Sequence, residues 1–143
     1  MMSSERVKHI EEHLVEAARV GDHERVECLL RLGAHPDGSW RLKDGTPLIV
    51  AGRAGHRETV RVLLAYGANP NTCDHLLMSL RDGYLDITRL LLEAGCVVDP
   101  RTIDHAVNHG DAKTCSLLLG HLAPYRRGRL QLQSRLNDLT NRK

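Results

Sequence analysis

The sequence predicts an all-α fold, a solenoid of stacked helix-turn-helix repeats with one long finger loop and a capping helix at each end. Two observations lead to this prediction. The 143 residues are 41% hydrophobic but include no Phe, one Trp and three Tyr, so the core must be aliphatic. Thin stacked helices suit such a core, and a glycine that recurs with the same residue types around it indicates that the helical units repeat.

The recurring glycines divide the chain into four similar segments. They are Gly21, Gly55, Gly83 and Gly110, at intervals of 34, 28 and 27 residues. A leucine pair begins eight places after each glycine, an aliphatic residue stands seven places before it and a small residue four places before it. These columns contain Leu29, Leu63, Leu91 and Leu118, then Leu14, Leu48, Leu76 and Ile103, then Ala17, Ala51, Ser79 and Ala106. Aligned columns predict stacking, because a repeat that cannot bury its own apolar face buries it against its neighbours.

The second segment has the clearest helix signals. Thr46 can cap a helix with its hydroxyl, and Pro47 suits the first helical position, where no backbone donor is needed. Gly55 is placed to end this helix in a left-handed conformation, and Gly67 to close the helix that follows. The segment therefore predicts two short helices joined by a tight turn.

The stretch Gly45–Asn71 resembles an ankyrin repeat, a helix-turn-helix unit of about 33 residues. The residues that match the family pattern are Thr46-Pro47-Leu48, Ala51, Gly55-His56, Val60, Leu63-Leu64, Gly67-Ala68 and Asn71. Ile49 replaces the histidine of the family, so we expect the hydrogen bonds of that histidine to neighbouring turns to be missing. The resemblance implies one domain, 1–143, with repeats at about 4–37, 38–71, 72–99 and 100–123.

The connections between repeats differ in length. Residues 34–46 have room for the β-hairpin finger that ankyrin repeats usually project, whereas 69–74 and 97–102 do not. In the short connections, Asp74 and Asp99 are placed to cap the next helix. The sequence therefore predicts one full finger in an otherwise helical stack.

Both ends of the chain carry candidate capping helices. Ser4 can cap a helix that runs toward Val20 and shields the first repeat. The segment 124–143 holds six basic residues and one acidic residue, with leucines at helical spacing. We interpret it as a C-terminal cap, the alternatives being a basic amphipathic helix that binds a partner or an acidic surface, or a disordered tail.

The motifs of common catalytic sites are missing from the sequence. It has neither a Gly-x-Ser-x-Gly nucleophile motif nor a phosphate-binding Gly-x-x-x-x-Gly-Lys motif. Two histidine pairs at helical spacing, His9 with His13 and His105 with His109, lack an evident third metal ligand, so we interpret them as surface or packing residues. We expect no enzyme activity, no cofactor and no metal.

The cysteines and the apolar runs bear on where the protein works. Cys28 and Cys115 fall at core positions, where we expect small buried residues. The four cysteines lack the spacing of a metal or redox motif, so we expect them to be free thiols. Free thiols are typical of proteins in a reducing compartment, and we therefore expect the cytoplasm or the nucleus. No apolar run approaches the length of a membrane span, and the N-terminus has no features of a secretory signal. We expect a monomer.

A column of arginines is the leading candidate for a binding surface. Arg19, Arg53 and Arg81 stand two places before the recurring glycines, a position that the resemblance places on the concave face. Guanidinium groups bind carboxylates or phosphates through two parallel hydrogen bonds. The alternative is that these arginines are solvated surface residues, as most charged columns are.

The predicted finger adds a candidate aromatic anchor. Trp40, the only tryptophan, is flanked there by Arg41 and Lys43 and could either contact a partner or pack against the first helices. Tyr66 stands at another position that faces ligands in ankyrin repeats. Together with the arginines, these residues predict a non-catalytic scaffold that binds a protein partner, an acidic or phosphorylated segment, on its concave face.

Two further interpretations stay open. Nucleotide or nucleic-acid binding through the arginine column or the basic tail is the alternative function, although aromatic stacking platforms are almost absent. Asn71 ends a pattern that resembles the asparagine sites that a cytosolic hydroxylase modifies in ankyrin repeats. Its alternative role is a structural turn residue, like Asp37 and Asp99 in the same column.

Overall fold

A computed structural model describes residues 4–38, 45–71, 75–122 and 126–142. The predicted finger residues Trp40, Arg41 and Lys43, the cap Asp74, and the side chains of residues 75–77, 126 and 127 lie outside the described part. Across the described ranges the chain is all-α and has no strand, which confirms the predicted class. The helices are α1 (Ser4–Val20), α2 (His23–Arg31), α3 (Pro47–Ala54), α4 (Arg57–Ala65), α5 (His75–Arg81), α6 (Leu85–Glu93), α7 (Pro100–His109), α8 (Ala112–Leu119) and α9 (Arg126–Asn141).

The helices form two compact units, one within residues 1–75 and one within residues 76–143. In the first unit, α1 and α2 form one hairpin and α3 and α4 form the next, with α1 against α3 and α2 against α4. In the second unit, α7 packs against α8, and α9 packs against both of them. Each predicted repeat contains one pair of helices.

The predicted ends of α3 are confirmed. Thr46 Oγ1 accepts a hydrogen bond from the backbone N of Ile49 at 3.3 Å, and Pro47 is the first helical residue. The helix ends at Gly55, whose φ of 76° is left-handed. Because only glycine adopts this conformation without steric cost, Gly55 lets the chain reverse within two residues.

The fourth repeat begins as predicted but turns differently between its helices. Asp99 caps α7 by accepting a hydrogen bond from the Thr102 backbone N at 2.8 Å. Gly110, in contrast to Gly21, Gly55 and Gly83, has an extended backbone with φ −70° and ψ 147°. The backbone carbonyl of Ala106 occupies the space that a side chain on Gly110 would need.

The aligned apolar columns form the core of each unit, as expected for stacked repeats. The fully buried members are Leu14, Ala17, Ala51, Leu63, Ala106 and Leu118, and the nearly buried ones are Leu48, Ser79, Leu91 and Ile103. A further buried column lies five residues after the glycines, at Val26, Val60, Thr88 and Cys115. The burial of equivalent positions in successive hairpins is the packing that the sequence pattern predicted.

Two sequence expectations for α2 are wrong. Leu29 is half-buried, and its neighbour Leu30 is the buried leucine of this helix, because α2 belongs to the first hairpin and packs against α4 on one side only. Cys28 is exposed, since it lies two residues, or about 200° of helix rotation, beyond the buried Val26. Cys115 is fully buried, as predicted.

The terminal helices pack against their neighbouring hairpins. Helix α1 spans Ser4–Val20 and lies against both α2 and α3; Ser4, which was expected to cap this helix, is its first helical residue. In α9 the side chain of Leu132 is fully buried, and the backbone at Gly128 approaches α7 so closely that a Cβ there would lie 2.5 Å from Ile103 Cδ1. None of the helices in the described ranges combines the length and the apolar content that crossing a bilayer requires.

Removing the cap of α8 gives a pH-dependent prediction. Asp111 accepts a hydrogen bond from the Thr114 backbone N at 2.8 Å, and this bond lowers the pKa of its carboxyl. Because the pKa of Asp111 is lower in the folded protein than in the unfolded chain, where it is about 3.9, the charged carboxyl stabilises the fold at pH values above about 3.9. This stability is lost as pH falls through the folded pKa. We expect Asp111→Ala to lower the free energy of unfolding at pH 7 by about 1 kcal/mol.

The measurement is urea denaturation of both proteins at pH 7 and pH 2.5. At the lower pH the difference between wild type and Asp111→Ala should be smaller, because the stability that the charged carboxyl adds is lost progressively as pH falls below the unfolded pKa. Asp111→Asn is the matched control: asparagine caps a helix without a charge, so its free energy of unfolding at pH 7 should lie between those of wild type and Asp111→Ala and should change less with pH than that of wild type. A loss in Asp111→Ala that is as large at pH 2.5 as at pH 7 would show that the charge has no part in the cap.

Candidate functional site

Arg19 and Arg53, the first two arginines of the predicted column, lie on helices that contact each other. Arg19 is in the last turn of α1 and Arg53 in the last turn of α3, and both side chains are exposed. Arg19 Nη1 lies 2.7 Å from Glu16 Oε2, an exposed ion pair of the kind that contributes little to stability. Among the residues described, Arg53 has no ionic partner.

His56 fixes the turn that follows Arg19. Its Nε2 donates a hydrogen bond to the Arg19 carbonyl oxygen at 3.0 Å, so the start of the second hairpin is tied to the end of α1. The imidazole lies directly over Gly21, where a Cβ would be 2.5 Å from His56 Nδ1. The inter-repeat hydrogen bond expected to be missing with Ile49 is therefore supplied from another position, which sequence reasoning did not identify.

Tyr66 lies in a different cluster from the arginines. Its hydroxyl donates to Glu27 Oε1 at 3.4 Å and accepts from Arg31 Nε at 3.3 Å, while Arg31 Nη2 lies 3.0 Å from the same Glu27 oxygen. Tyr66 follows the last residue of α4, whereas Arg53 is near the turn before α4. Nine helical residues separate these ends by about 13 Å, so Tyr66 and Arg53 belong to opposite ends of one hairpin.

The turns after the second helices contain the predicted asparagine and aspartate column. Asp37 Oδ1 accepts a hydrogen bond from the Asn69 backbone N at 2.9 Å, which links the turns of the first two repeats. Asn71 is exposed, and its backbone N donates to Asn69 Oδ1 at 2.9 Å. Asp37 and Asp99 thus have the structural roles expected of them, and modification of Asn71 stays a prediction.

Arg81, the third arginine, is exposed in the last turn of α5. A cleft opens in the second unit between the turn that follows α5 and helix α7. The cleft has a volume of about 190 Å³ and is lined by Leu80, Gly83, Leu85, His105, His109, Gly110, Asp111 and Thr114. The rings of His105 and His109 are 5.1 Å apart, centroid to centroid. Burial, the neighbouring His109 and the charge of Arg81 lower the pKa of His105. The spacing of His105 and His109 predicts that they share one face of a helix, but it does not predict that both line this cleft.

The second histidine pair is unsuited to binding a metal. His9 Nε2 and His13 Nε2 are 3.1 Å apart on α1, and Arg25 Nη2 donates to His13 Nδ1 at 3.3 Å. Because the arginine is always a donor, His13 carries its proton on Nε2, the atom that would otherwise bind the metal. In the part of the chain that the structure describes, no three potential ligands lie close enough together to form a metal site.

Cys96 and Cys115 are not activated nucleophiles. Burial, with a contribution from the charge of Asp99, raises the pKa of Cys96 to about 11. Burial also raises the pKa of Cys115, although Arg135 partly opposes this shift. Because the thiolate is the reactive form of cysteine, both side chains are protonated and unreactive at neutral pH.

Comparison with known families accounts for this arrangement of helices. The family model for ankyrin repeats, in three copies, matches residues 14–104, more than half of the chain. No curated protein matches the chain closely enough to count as a relative. Ankyrin repeats are generally protein–protein interaction modules and are typically not catalytic. The matched residues include α1 from Leu14 onward and the hairpins that follow, and the chain therefore belongs to the ankyrin-repeat family.

Proposed function

We propose that this protein is a non-catalytic interaction module that binds an acidic or phosphorylated protein segment on the surface formed by its first helices. The observation that supports this proposal is the placement of Arg19 and Arg53. Both are exposed, and they lie on contacting helices whose turns are held together by His56. Two guanidinium groups presented by neighbouring repeats complement a segment that carries successive negative charges.

The finger and the modification site extend this proposal. Trp40, Arg41 and Lys43 would add an aromatic anchor and further positive charge to the same partner. Asn71 is exposed, which a hydroxylase acting on it would need. The proposed location, cytoplasm or nucleus, rests on the spacing of the cysteines alone.

Binding of nucleic acid through the basic tail is less well supported. Helix α9 contains most of that tail and is packed against α7 and α8, with Leu132 fully buried and Arg135 half-buried. A basic surface for a phosphate backbone needs its cations exposed along one face. We therefore propose the protein partner as the ligand.

Charge reversal at the two arginines tests the proposal. We expect the double variant Arg19→Glu, Arg53→Glu to bind its partner at least about tenfold more weakly, because charge-assisted hydrogen bonds contribute roughly 1.5–3 kcal/mol each. Partners are first identified by proximity labelling with the intact chain. The affinity of each purified partner is then measured for wild type and variant.

The control variant carries the same change of charge at two exposed sites on α4. Arg57 and Arg61 are both exposed on α4, and the variant Arg57→Glu, Arg61→Glu should keep wild-type affinity. Circular dichroism establishes that both variants keep their helix content. The proposed surface would be wrong if every partner bound the Arg19→Glu, Arg53→Glu variant as tightly as wild type, or if the two variants lost affinity equally.

A further inference from the structure

The two histidine pairs have the same helical spacing but different surroundings. His105 and His109 lie on successive turns of α7, and both line the cleft of about 190 Å³ in the second unit. His9 and His13 lie on α1, where Arg25 Nη2 donates a hydrogen bond to His13 Nδ1. Within the described ranges, the ring nitrogens of His105 and His109 have no hydrogen-bond partner in the protein. The pair on α7 therefore has ring nitrogens that can bind a ligand from the cleft.

The separation of the two rings on α7 matches the separation that a shared zinc ion requires. Zn²⁺ binds imidazole nitrogen at about 2.0–2.1 Å in tetrahedral geometry, which places the centres of two coordinating rings about 5.2 Å apart. The ring centroids of His105 and His109 are 5.1 Å apart, and the ring planes are inclined at 45°. The rings of His9 and His13 are 4.5 Å apart and nearly perpendicular, with a hydrogen bond of 3.1 Å between their Nε2 atoms. The geometry therefore favours the pair on α7 as metal ligands.

The cleft provides space and a negative charge for a cation. Its volume of about 190 Å³ accommodates a metal ion with water in the remaining coordination positions, since one water molecule takes about 30 Å³. Asp111 also lines the cleft, and its carboxylate accepts a hydrogen bond from the Thr114 backbone N. The positive charges of Arg81, near His105, and of Lys113, near Asp111, act against a cation. Two ligands in this mixed field predict weaker binding than at a four-ligand structural zinc site.

We propose that His105 and His109 form a two-histidine site for Zn²⁺, with water in the other two coordination positions. Imidazole is the commonest protein ligand for transition metals and suits zinc, whereas Mg²⁺ and Ca²⁺ prefer oxygen ligands. A metal ion that joins two successive turns of α7 stabilises the folded helix, because it binds the folded chain in preference to the unfolded one. The site goes beyond the proposed function, since it involves neither Arg19 nor Arg53.

The test uses the full chain, freed of metal by a chelator that is then removed, with Zn²⁺ alone as the probe. Zinc is titrated near neutral pH while the histidine ring signals are followed by NMR, and the affinity is measured by calorimetry. We expect one zinc ion per chain and saturable shifts of the His105 and His109 signals, with the His9 and His13 signals unchanged at that ratio. Mg²⁺ at the same concentration should shift none of these signals.

The two histidine pairs provide matched variants. The variant His105→Gln, His109→Gln should bind zinc at least about tenfold more weakly, since even the loss of a residue that only orients a zinc ligand costs about 10–100-fold in affinity. The variant His9→Gln, His13→Gln removes the same two groups at the same spacing and should keep wild-type affinity. His109→Gln alone repeats the test at an exposed position, and circular dichroism establishes that each variant keeps its helix content.

Two outcomes would overturn the proposal. If the His105→Gln, His109→Gln variant binds zinc as tightly as wild type, the metal is bound elsewhere, for example by the exposed thiol of Cys28. If zinc shifts the signals of both histidine pairs alike, or shifts them without saturation, His105 and His109 form no site of their own. Neither result affects the test at Arg19 and Arg53, which is made without added metal.

Discussion

Replacing Leu63 by alanine is expected to lower the free energy of unfolding by about 2–5 kcal/mol, the range for removing a fully buried leucine side chain. Leu63 is fully buried on α4, which packs against both α3 and α2. The substitution removes apolar surface from the core and leaves a cavity at the contact between the first two hairpins. Because each repeat depends on its neighbours for burial, the loss affects the packing of both hairpins.

The adjacent Leu64 provides the matched control for this measurement. It is half-buried on the same helix, and Leu64→Ala is chemically the same change. Urea denaturation followed by circular dichroism should give a clearly smaller loss for Leu64→Ala than for Leu63→Ala. If both variants lost the same free energy of unfolding, the leucines that stand eight residues after each recurring glycine would not form the contact between the hairpins.

The second large effect is expected at the C-terminal helix. Leu132→Ala should lower the free energy of unfolding by about 2–5 kcal/mol, because Leu132 is fully buried and α9 packs against α7 and α8. The close approach of Gly128 to Ile103 is further evidence that α9 has a fixed place in the second unit. The substitution therefore tests whether α9 acts as a structural cap.

Leu130, two residues earlier in the same helix, is 72% exposed and is the control. Leu130→Ala should change the free energy of unfolding by no more than about 0.5 kcal/mol, as is usual for surface substitutions. If Leu132→Ala were as stable as Leu130→Ala, α9 would not cap the second unit in solution, and its interpretation as a free partner-binding helix would regain support.

The parts of the fold that could be predicted depend on short-range physics or on the repeat period. Thr46, Gly55 and Asp99 act within three or four residues of their own position, so residue type and spacing were sufficient to place the helix ends. The buried columns followed from alignment at the recurring glycines, because equivalent positions in a repeat protein have equivalent neighbours. Leu29 breaks this equivalence in the first hairpin, which has a neighbour on one side only.

The candidate site was harder to predict because its contacts join residues far apart in the sequence. His56 was part of the recognised pattern, but the pattern does not show that its imidazole reaches the Arg19 carbonyl, 37 residues earlier. Tyr66 was expected to face a ligand, whereas its hydroxyl bonds Arg31 and Glu27 of the preceding hairpin. Side-chain direction decides such contacts, and residue spacing alone does not fix it.

The cleft in the second unit shows the same limit. His105 and His109 share one face of a helix by spacing alone, and on that basis they indicated at most a weak metal site. Their shared cleft with Leu80 and Leu85 depends on how the hairpin of α5 and α6 lies against α7 and α8.

Selection from a random peptide library displayed on phage tests the central claim, recognition of an acidic segment, most directly. With the intact chain as bait, we expect the recovered peptides to be enriched in aspartate and glutamate, and to be lost when Arg19 and Arg53 are both changed to glutamate. The variant with Arg57 and Arg61 changed to glutamate should recover the same peptides as wild type. Neutral or basic peptides, or acidic ones that bind all three proteins equally, would contradict the account.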